Sequence, residues 1–367
     1  MSTRPIMIMA GGTGGHVFPG LAVAKEICNR SGSVVWMGTR KGLEGRLVPE
    51  AGIEVEWISV SGLRGRGVFA WIIAPFRLAL AIFQAFTALR RQRPAAVLGF
   101  GGFVSGPGGI AAWLAGSPLL IHEQNAVAGT TNRILARFSQ RVFQAFPNSF
   151  PKNIDVELIG NPVRSEILDL YSSSEQVLPR SFADADRKPR LLIVGGSQGA
   201  RTLNLNVPEA LANLPETMNL DVWHQTGQGL EEARDAYAKH HIESRLSVFL
   251  EDMKAAYAWA DLVICRAGAL TISELTVAGL GAILIPYPYA TDNHQLHNAK
   301  HFVSGGAGVI IKQDEFTPAR LSEVLKQIFS HPNNVLSRFS ERAHSQARPK
   351  AAESLAKACF QLAETHS

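Results

Sequence analysis

The chain of 367 residues is too long for one small domain and suits two of ordinary size. With 46% hydrophobic and 18% charged residues it has globular composition, and a mean hydropathy of +0.05 is too low for a polytopic membrane protein. Lys plus Arg exceed Asp plus Glu by 36 to 31, a net charge of +5 that favours an anionic partner such as phosphate, acidic lipid or nucleic acid. Three cysteines (Cys28, Cys265, Cys359) and no CxxC argue against a disulfide framework or a Cys-rich zinc site and fit a reducing compartment.

The first residues, MSTRPIMIMAGG, lack a signal-peptide layout, because the apolar run is short and enters glycines at once. Residues 5–10 are expected to be a strand, 11–15 a glycine turn, and the run through Ile27 a helix. Further strands are expected at 33–37 and 53–60. Residues 69–89 then form an apolar stretch in which Arg77 is the one charge, and from 63 to 94 there are six arginines and no acid. Its length could span a bilayer, but Pro75 and Arg77 oppose that. Two readings stay open: an interfacial helix on anionic lipid, and a core helix with a basic end. Strands at 96–100, 118–121 and 156–159 follow. Residues 171–176 and 180–189 read as a polar linker or surface loop.

The opening pattern then returns. Residues 190–194 are an expected strand, 195–199 a glycine turn, and a helix begins at Ala200. Strands are expected at 220–224, 246–249, 261–265, 282–285 and 308–311, and an amphipathic helix at 348–364 closes the chain. Strands alternating with helices predict parallel sheets covered on both faces, so the fold class is α/β with two similar halves. The glycine clusters fall just after strands, where open α/β sheets bind ligands, and two such halves would make a cleft between them.

Several clusters carry chemistry. In Gly11-Gly-Thr-Gly-Gly-His16 the glycines let backbone N–H groups approach an anion at a helix start. No GxGxxG and no Gly-Lys-Ser/Thr occurs, so the turn reads as a phosphate or sugar cradle rather than a dinucleotide or Walker loop. His16 could take a proton from a hydroxyl near neutral pH, or simply cap the turn. GFGGFVSGPGG at 99–109 again suits a diphosphate, and the polar run HEQN at 122–125 follows a strand. In the second half, GGSQG (195–199) offers Ser197 and a helix start to a phosphate. CRAGALTISE (265–274) opens a helix with Glu274 one turn in, set to hold a ribose diol or to stabilise the helix dipole. DNHQLHN (292–298) brings Gln and Asn groups that read sugar hydroxyls. His294, His297 and His301 could share a helix face but have no carboxylate or Cys in register, and Asp184 with Asp186 lies in the polar linker, so no metal site is expected.

Taken together, GGTGGHVFPG (11–20), GFGGFVSGPGG (99–109), HEQNAVAG (122–129), GNPVR (160–164), GGSQGA (195–200), CRAGALTISE (265–274) and DNHQLHNA (292–299) resemble the MurG family, the bacterial peptidoglycan N-acetylglucosaminyltransferases. The resemblance implies the GT-B fold, two Rossmann-like domains with parallel sheets facing a central cleft. Residues 1–163 would be the acceptor and membrane-associating domain, joined by a returning C-terminal helix at about 346–367, and 164–345 the UDP-GlcNAc domain. It implies transfer of GlcNAc from UDP-GlcNAc to the C4 hydroxyl of MurNAc in lipid I, giving lipid II and UDP with inversion. His16 would be the base. Thr13, Gly14, Gly15, Asn125, Arg164, Ser197, Leu250, Ala269, Leu270, Thr271, Ile272, Ser273, Glu274 and Gln295 would hold the donor. Gly102, Ser105, Gly106 and Glu123 would lie at the acceptor diphosphate.

The same resemblance implies peripheral attachment to the cytoplasmic face of the inner membrane, with Phe69, Trp71, Ile72, Phe76, Arg90, Arg91 and Arg93 on anionic lipid. Other cell-wall synthesis proteins are expected partners, and no cofactor, metal or nucleic acid. Two departures touch the sugar contacts: residues 286–292 form a slightly long loop, and His294 stands where some members carry Gln. The remaining alternatives are another GT-B glycolipid transferase and a non-enzymatic UDP-sugar-binding scaffold at the membrane.

Overall fold

The computed structural model describes residues 4–60, 68–174, 187–196 and 199–366, excepting the side chains of 68–72 and 172–174. Its chain divides into two units, Met1–Arg164 with Pro349–Ser367, and Ser165–Arg348.

The first unit runs β1 (Ile6–Met9), α1 (Gly14–Asn29), β2 (Val34–Gly38), α2 (Glu44–Glu50), β3 (Glu54–Trp57), α3 (Val68–Gln92), β4 (Ala96–Gly99), α4 (Gly102–Leu114), β5 (Leu119–Glu123), α5 (Thr130–Leu135), β6 (Arg141–Gln144) and β7 (Glu157–Leu158). All seven strands pair in parallel in the order β3-β2-β1-β4-β5-β6-β7. Alternation along β1 sends Ile6 and Ile8 to one face and Met7 and Met9 to the other, and both faces are buried, as a parallel sheet requires.

The second unit runs α6 (Ser165–Ser174), β8 (Arg190–Val194), α7 (Arg201–Ala212), β9 (Asp221–Gln225), α8 (Leu230–Lys239), β10 (Arg245–Ser247), α9 (Met253–Trp259), β11 (Leu262–Cys265), α10 (Ala269–Ala278), β12 (Gly281–Leu284), α11 (His294–Ser304), β13 (Gly308–Ile310), α12 (Pro318–Phe329) and α13 (Pro332–Ser345). Its strands are parallel in the order β10-β9-β8-β11-β12-β13. One core packs Leu191, Ile193 and Ile264 against α7, α12 and α13. The last helix, α14 (Ala351–Thr365), belongs to the first unit, where Leu355, Ala356 and Cys359 pack with Ile6, Ile8 and Ile27.

Two sequence readings need correction. Residues 171–174 complete α6 rather than a linker, and Tyr171 stacks on His344 with ring centroids 4.5 Å apart. Strand β6 went unread because only Val142 and Phe143 of its four residues are apolar.

In both sheets the strand order reverses once, between β1 and β4 and between β8 and β11. At such a switch point the loops leaving adjacent strands diverge and open a crevice. The chain puts glycines there in both units. Among the described helices side chains cap two, with Asp252 accepting from Ala255 N at 2.8 Å in α9 and Thr317 from Arg320 N at 3.2 Å in α12, while α2, α5, α8, α11, α13 and α14 begin without a side-chain cap. The helices that follow β1, β4, β8 and β11 begin without a side-chain cap.

Candidate active site

The loops after β1 and β4 touch. Gly102 has φ +72°, and a Cβ added there would stand 3.4 Å from the Gly11 carbonyl and 3.6 Å from the His16 ring. A side chain at Gly12 would strike the Phe103 ring. His16 lies in the first turn of α1, half-buried, with Nδ1 3.1 Å from the hydroxyl of exposed Thr13. Thr13, Gly14, Gly15, His16 and Gly102 therefore share one surface at the switch point. Gly106 lies one turn into α4 beside Thr131.

A second layer sits behind that surface. Glu44, fully buried, accepts from Gly12 N at 2.9 Å, Thr39 N at 3.1 Å and the Thr39 hydroxyl at 2.7 Å. Ser105 is also fully buried and donates to the Met9 carbonyl at 2.9 Å, tying α4 to β1. Glu123 is buried and accepts from Asn125 N, Asn125 Nδ2, Gly129 N and Asn132 Nδ2 at 2.9–3.2 Å. Burial pushes its carboxyl pKa up, opposed by those four hydrogen bonds. Ser105 and Glu123, expected at an acceptor diphosphate, thus turn their side chains inward, where they bond the protein's own backbone and amides.

His122 is likewise structural. Its Nδ1 accepts from Gln124 Nε2 at 3.1 Å, which leaves the proton on Nε2, 2.8 Å from the Gly160 carbonyl. Burial lowers its pKa to about 4, against the opposing hydrogen bond to Gly160. Asn125 remains at the surface of this cluster, half-buried. Arg164, the last residue of this unit's main segment, has its guanidinium 5.8 Å from the Phe18 ring centroid.

In the second unit the loop after β8 is braced by Gln225. That side chain accepts from Gly196 N at 3.0 Å and donates to the carbonyls of Gly196 at 3.0 Å and Val248 at 2.9 Å. One amide thus joins the glycine loop to the stretch leading to Leu250, itself buried. Ser197 lies outside the described residues. After β11, Ala269–Ala278 begins as α10 directly at Gly268. Ala269 and Ile272 are buried; Leu270, Thr271 and Ser273 are half-buried along the first turn. Glu274 is 8% exposed and accepts from the hydroxyl of buried Tyr257 at 3.1 Å. Gln295 accepts from Ala267 N at 3.2 Å and Tyr287 N at 2.9 Å, so its carbonyl fastens the loop after β11 to the one after β12. Next to α10, burial holds the Cys265 thiol at about 12, which removes it as a nucleophile.

Sequence reading passed over Glu44, Asn132, Gln225 and Tyr257. None stands in a glycine cluster; only the fold brings them there. Among the described residues no group of three His, Cys, Asp or Glu could hold a metal ion, and His294, His297 and His301 do not form one; Asp184 and Asp186 lie outside the described residues.

The membrane-facing expectation falls on α3. Its stretch Ile73–Gln92 is long and apolar enough to cross a membrane by length and composition. Phe76 and Phe83 are 76% and 67% exposed, and Ile73, Leu78 and Leu80 are exposed too. Trp113, Leu114, Ile134 and Phe138, which sequence reading missed, add a further exposed apolar group on α4, α5 and the turn after it. Arg90 and Arg93 are exposed, whereas Arg91 is forked onto the buried carboxylate of Glu56. The side chains of Phe69, Trp71 and Ile72 lie outside the described residues, as do residues 61–67.

Comparison with known proteins fits this geometry to a family. Residues 6–144 match the glycosyltransferase family 28 N-terminal domain and 190–355 its C-terminal domain. A protein of Nitrosococcus oceani, named UDP-N-acetylglucosamine--N-acetylmuramyl-(pentapeptide) pyrophosphoryl-undecaprenol N-acetylglucosamine transferase, is 50% identical over 359 residues, 98% of each chain. One of the same name from Alkalilimnicola ehrlichii is 50% identical over 362 residues, 98% of this chain and 99% of that one. The chain belongs to the MurG family. A crystal structure of Acinetobacter baumannii MurG superposes with TM-score 0.81 at 39% identity, covering 98% of this chain and 99% of that one. A kitacinnamycin glycotransferase, at 16% identity and TM-score 0.73 over 99% of this chain and 100% of its own, shares the fold.

Proposed function

We propose that this chain is an inverting N-acetylglucosaminyltransferase that moves GlcNAc from UDP-GlcNAc to the C4 hydroxyl of MurNAc in lipid I, releasing UDP and lipid II. The observation that carries the reading is the match, at 50% identity over 98% of the chain, to relatives named for that transfer. The acceptor is assigned to the switch point of the first unit and the donor to that of the second.

His16 is the base. It takes the proton from the C4 hydroxyl as that oxygen attacks the anomeric carbon and the bond to UDP breaks. Thr13 sits on its Nδ1 and sets the ring, while Gly14, Gly15 and Asn125 line the donor sugar. Charge develops on the leaving diphosphate. The start of α10 from Ala269 to Ser273, where no side chain competes as a cap, stabilises it together with Arg164 and Ser197. Glu274 holds the ribose, Leu250 flanks the uracil and Gln295 sets the loop around the GlcNAc. The enzyme attaches peripherally to the cytoplasmic face of the inner membrane through the exposed apolar face of α3 and Arg90 and Arg93. There it serves cell-wall assembly, and through it cell shape and division, beside other cell-wall synthesis proteins.

The test is transfer of labelled GlcNAc by the full-length chain to lipid I in mixed micelles, with diacylglycerol as the rival acceptor. Labelled lipid II is expected. His16→Ala should lose about 100-fold or more in turnover while still binding UDP. Transfer to diacylglycerol with none to lipid I would reject the acceptor, and unchanged turnover in His16→Ala would reject the base.

A further inference from the structure

Ser105 and Glu123 turn inward, so neither side chain reaches out to an acceptor diphosphate at Gly102. Cations do lie next to it. A groove of about 970 Å³ begins at Gly12 and Phe103, passes between the loop after β2 and α3, and ends on Leu78 and Leu80. Its described lining holds Arg40, Lys41 and Arg77 and no carboxylate. All three are exposed, and none has an acidic partner among the described residues. The Arg40 guanidinium lies 5.0 Å from the centroid of the Trp57 ring, which forms part of the groove wall. The groove is thus cationic near the glycine loops and apolar toward α3, and α3 continues into the exposed Phe76 and Phe83.

We infer that this groove seats the diphosphate and the first isoprene units of the lipid-linked acceptor, with Arg40, Lys41 and Arg77 as the cations that hold it. The inference rests on the lipid-acceptor reading above and deepens it. The occupant must be anionic at one end and a branched hydrocarbon at the other, in that order from the glycine loops outward. A polyprenyl diphosphate has that order, and a groove of this volume suits a ligand buried over part of its length. A phospholipid headgroup shares the phosphate chemistry, but its charge would sit at the membrane plane rather than beside Gly12.

Two measurements on the full-length chain test this. Geranylgeranyl diphosphate is titrated against tryptophan fluorescence, with inorganic pyrophosphate and geranylgeraniol as half-probes. The expected result is saturable binding of the whole probe, weaker binding of either half, and loss of the signal in Trp57→Phe. Replacing Arg40, Lys41 and Arg77 together by Gln should weaken probe binding and raise the acceptor KM by about tenfold, since exposed charge pairs are individually weak. The donor KM and pelleting with phosphatidylglycerol vesicles should stay as they were. Unchanged probe binding and acceptor KM in the triple variant would overturn the proposal. So would a triple variant that loses only vesicle pelleting, which would hand the cations to phospholipid headgroups. A chain that binds geranylgeranyl diphosphate at Trp57 yet transfers nothing to lipid I would sink the proposed reaction and leave the groove standing.

Discussion

Glu44→Gln is the sharpest test of how the first glycine loop is held. The two carboxylate oxygens divide the work: Oε1 takes both Thr39 donors at 3.1 and 2.7 Å, and Oε2 takes Gly12 N at 2.9 Å. Glutamine keeps the shape but offers one acceptor and one NH2. If the amide oxygen stays with Thr39, the NH2 faces the Gly12 N–H, donor against donor in a fully buried place. Hydrogen bonds to a charged group are worth about 1.5–3 kcal/mol each, and an orphaned buried donor costs about 1–3 kcal/mol. Two weakened bonds and one lost one give about 3 kcal/mol. For a unit of this size each kcal/mol lowers the melting temperature by about 2–4 °C, so the first unit should melt about 6–12 °C lower. Calorimetry of the full-length chain reads this. UDP binding, assigned to the second unit, should hold, while turnover falls because Gly12 lies two residues from the α1 start that carries His16. A melting shift under about 2 °C would refute the reasoning, since it would mean the carboxylate does not make these bonds in solution.

Other outcomes follow from the same geometry. Tyr257→Phe removes the hydroxyl that steadies Glu274. It should raise the donor KM about threefold to tenfold with UDP-GlcNAc, but not with the 2′-deoxyribose donor; an equal effect on both would detach Tyr257 from the ribose. Glu274→Ala should raise the donor KM further still, and an unaltered value would remove Glu274 from the ribose site. Buried His122 and His224 titrate at about 4 and about 3 in the fold, against 6.5 when exposed. Both are neutral in the fold where the unfolded chain binds protons, so stability is full above pH 6.5 and falls as the pH drops toward 4. The slope approaches about 1.4 kcal/mol per pH unit for each ring, and His224→Phe should flatten it by one proton. Denaturant melts across that range that show no such slope would mean the rings are already solvated. Replacing Arg90 and Arg93 by Glu should weaken pelleting with anionic vesicles, whereas unaffected pelleting would move the docking surface elsewhere.

The fold was legible because parallel strands buried on both faces read as apolar runs such as MIM or LLIV, and glycines mark where each run ends. Strand β6 escaped because RVFQ lies next to the sheet's last strand, where Arg141 pairs with Glu157 on neighbouring β7. The site was legible in its backbone part: the turns at 11–15, 101–102 and 195–199 announce close approach by composition alone. Its side-chain part was not, because residue type does not tell which way a side chain faces. Ser105 looks like a ligand group in a glycine-rich loop, yet one turn of α4 carries it inward to Met9. Glu44 looks like an ordinary helix-start glutamate, yet the chain folds it under a glycine loop 32 residues away.

That division has a physical cause that bears on which mutations near such sites will be informative. A loop rich in glycine offers its N–H groups to a ligand only if something else keeps it from collapsing, since glycine carries the largest entropic freedom to lose. Here the restraint comes from buried polar side chains, Glu44 under the first loop, Glu123 and Asn132 under the loop after β5, and Gln225 under the loop after β8. Each makes hydrogen bonds to the protein's own backbone or side chains and none is exposed. Loss of a brace should therefore show as a lower melting temperature together with lower turnover, because one loop serves both. Loss of a surface group such as His16 should lower turnover at constant melting temperature. Measuring both quantities for Glu123→Gln and His16→Ala separates the two classes. If Glu123→Gln lost turnover with its melting temperature intact, Glu123 would belong with the reacting groups after all, and its four internal hydrogen bonds would have to open when substrate binds.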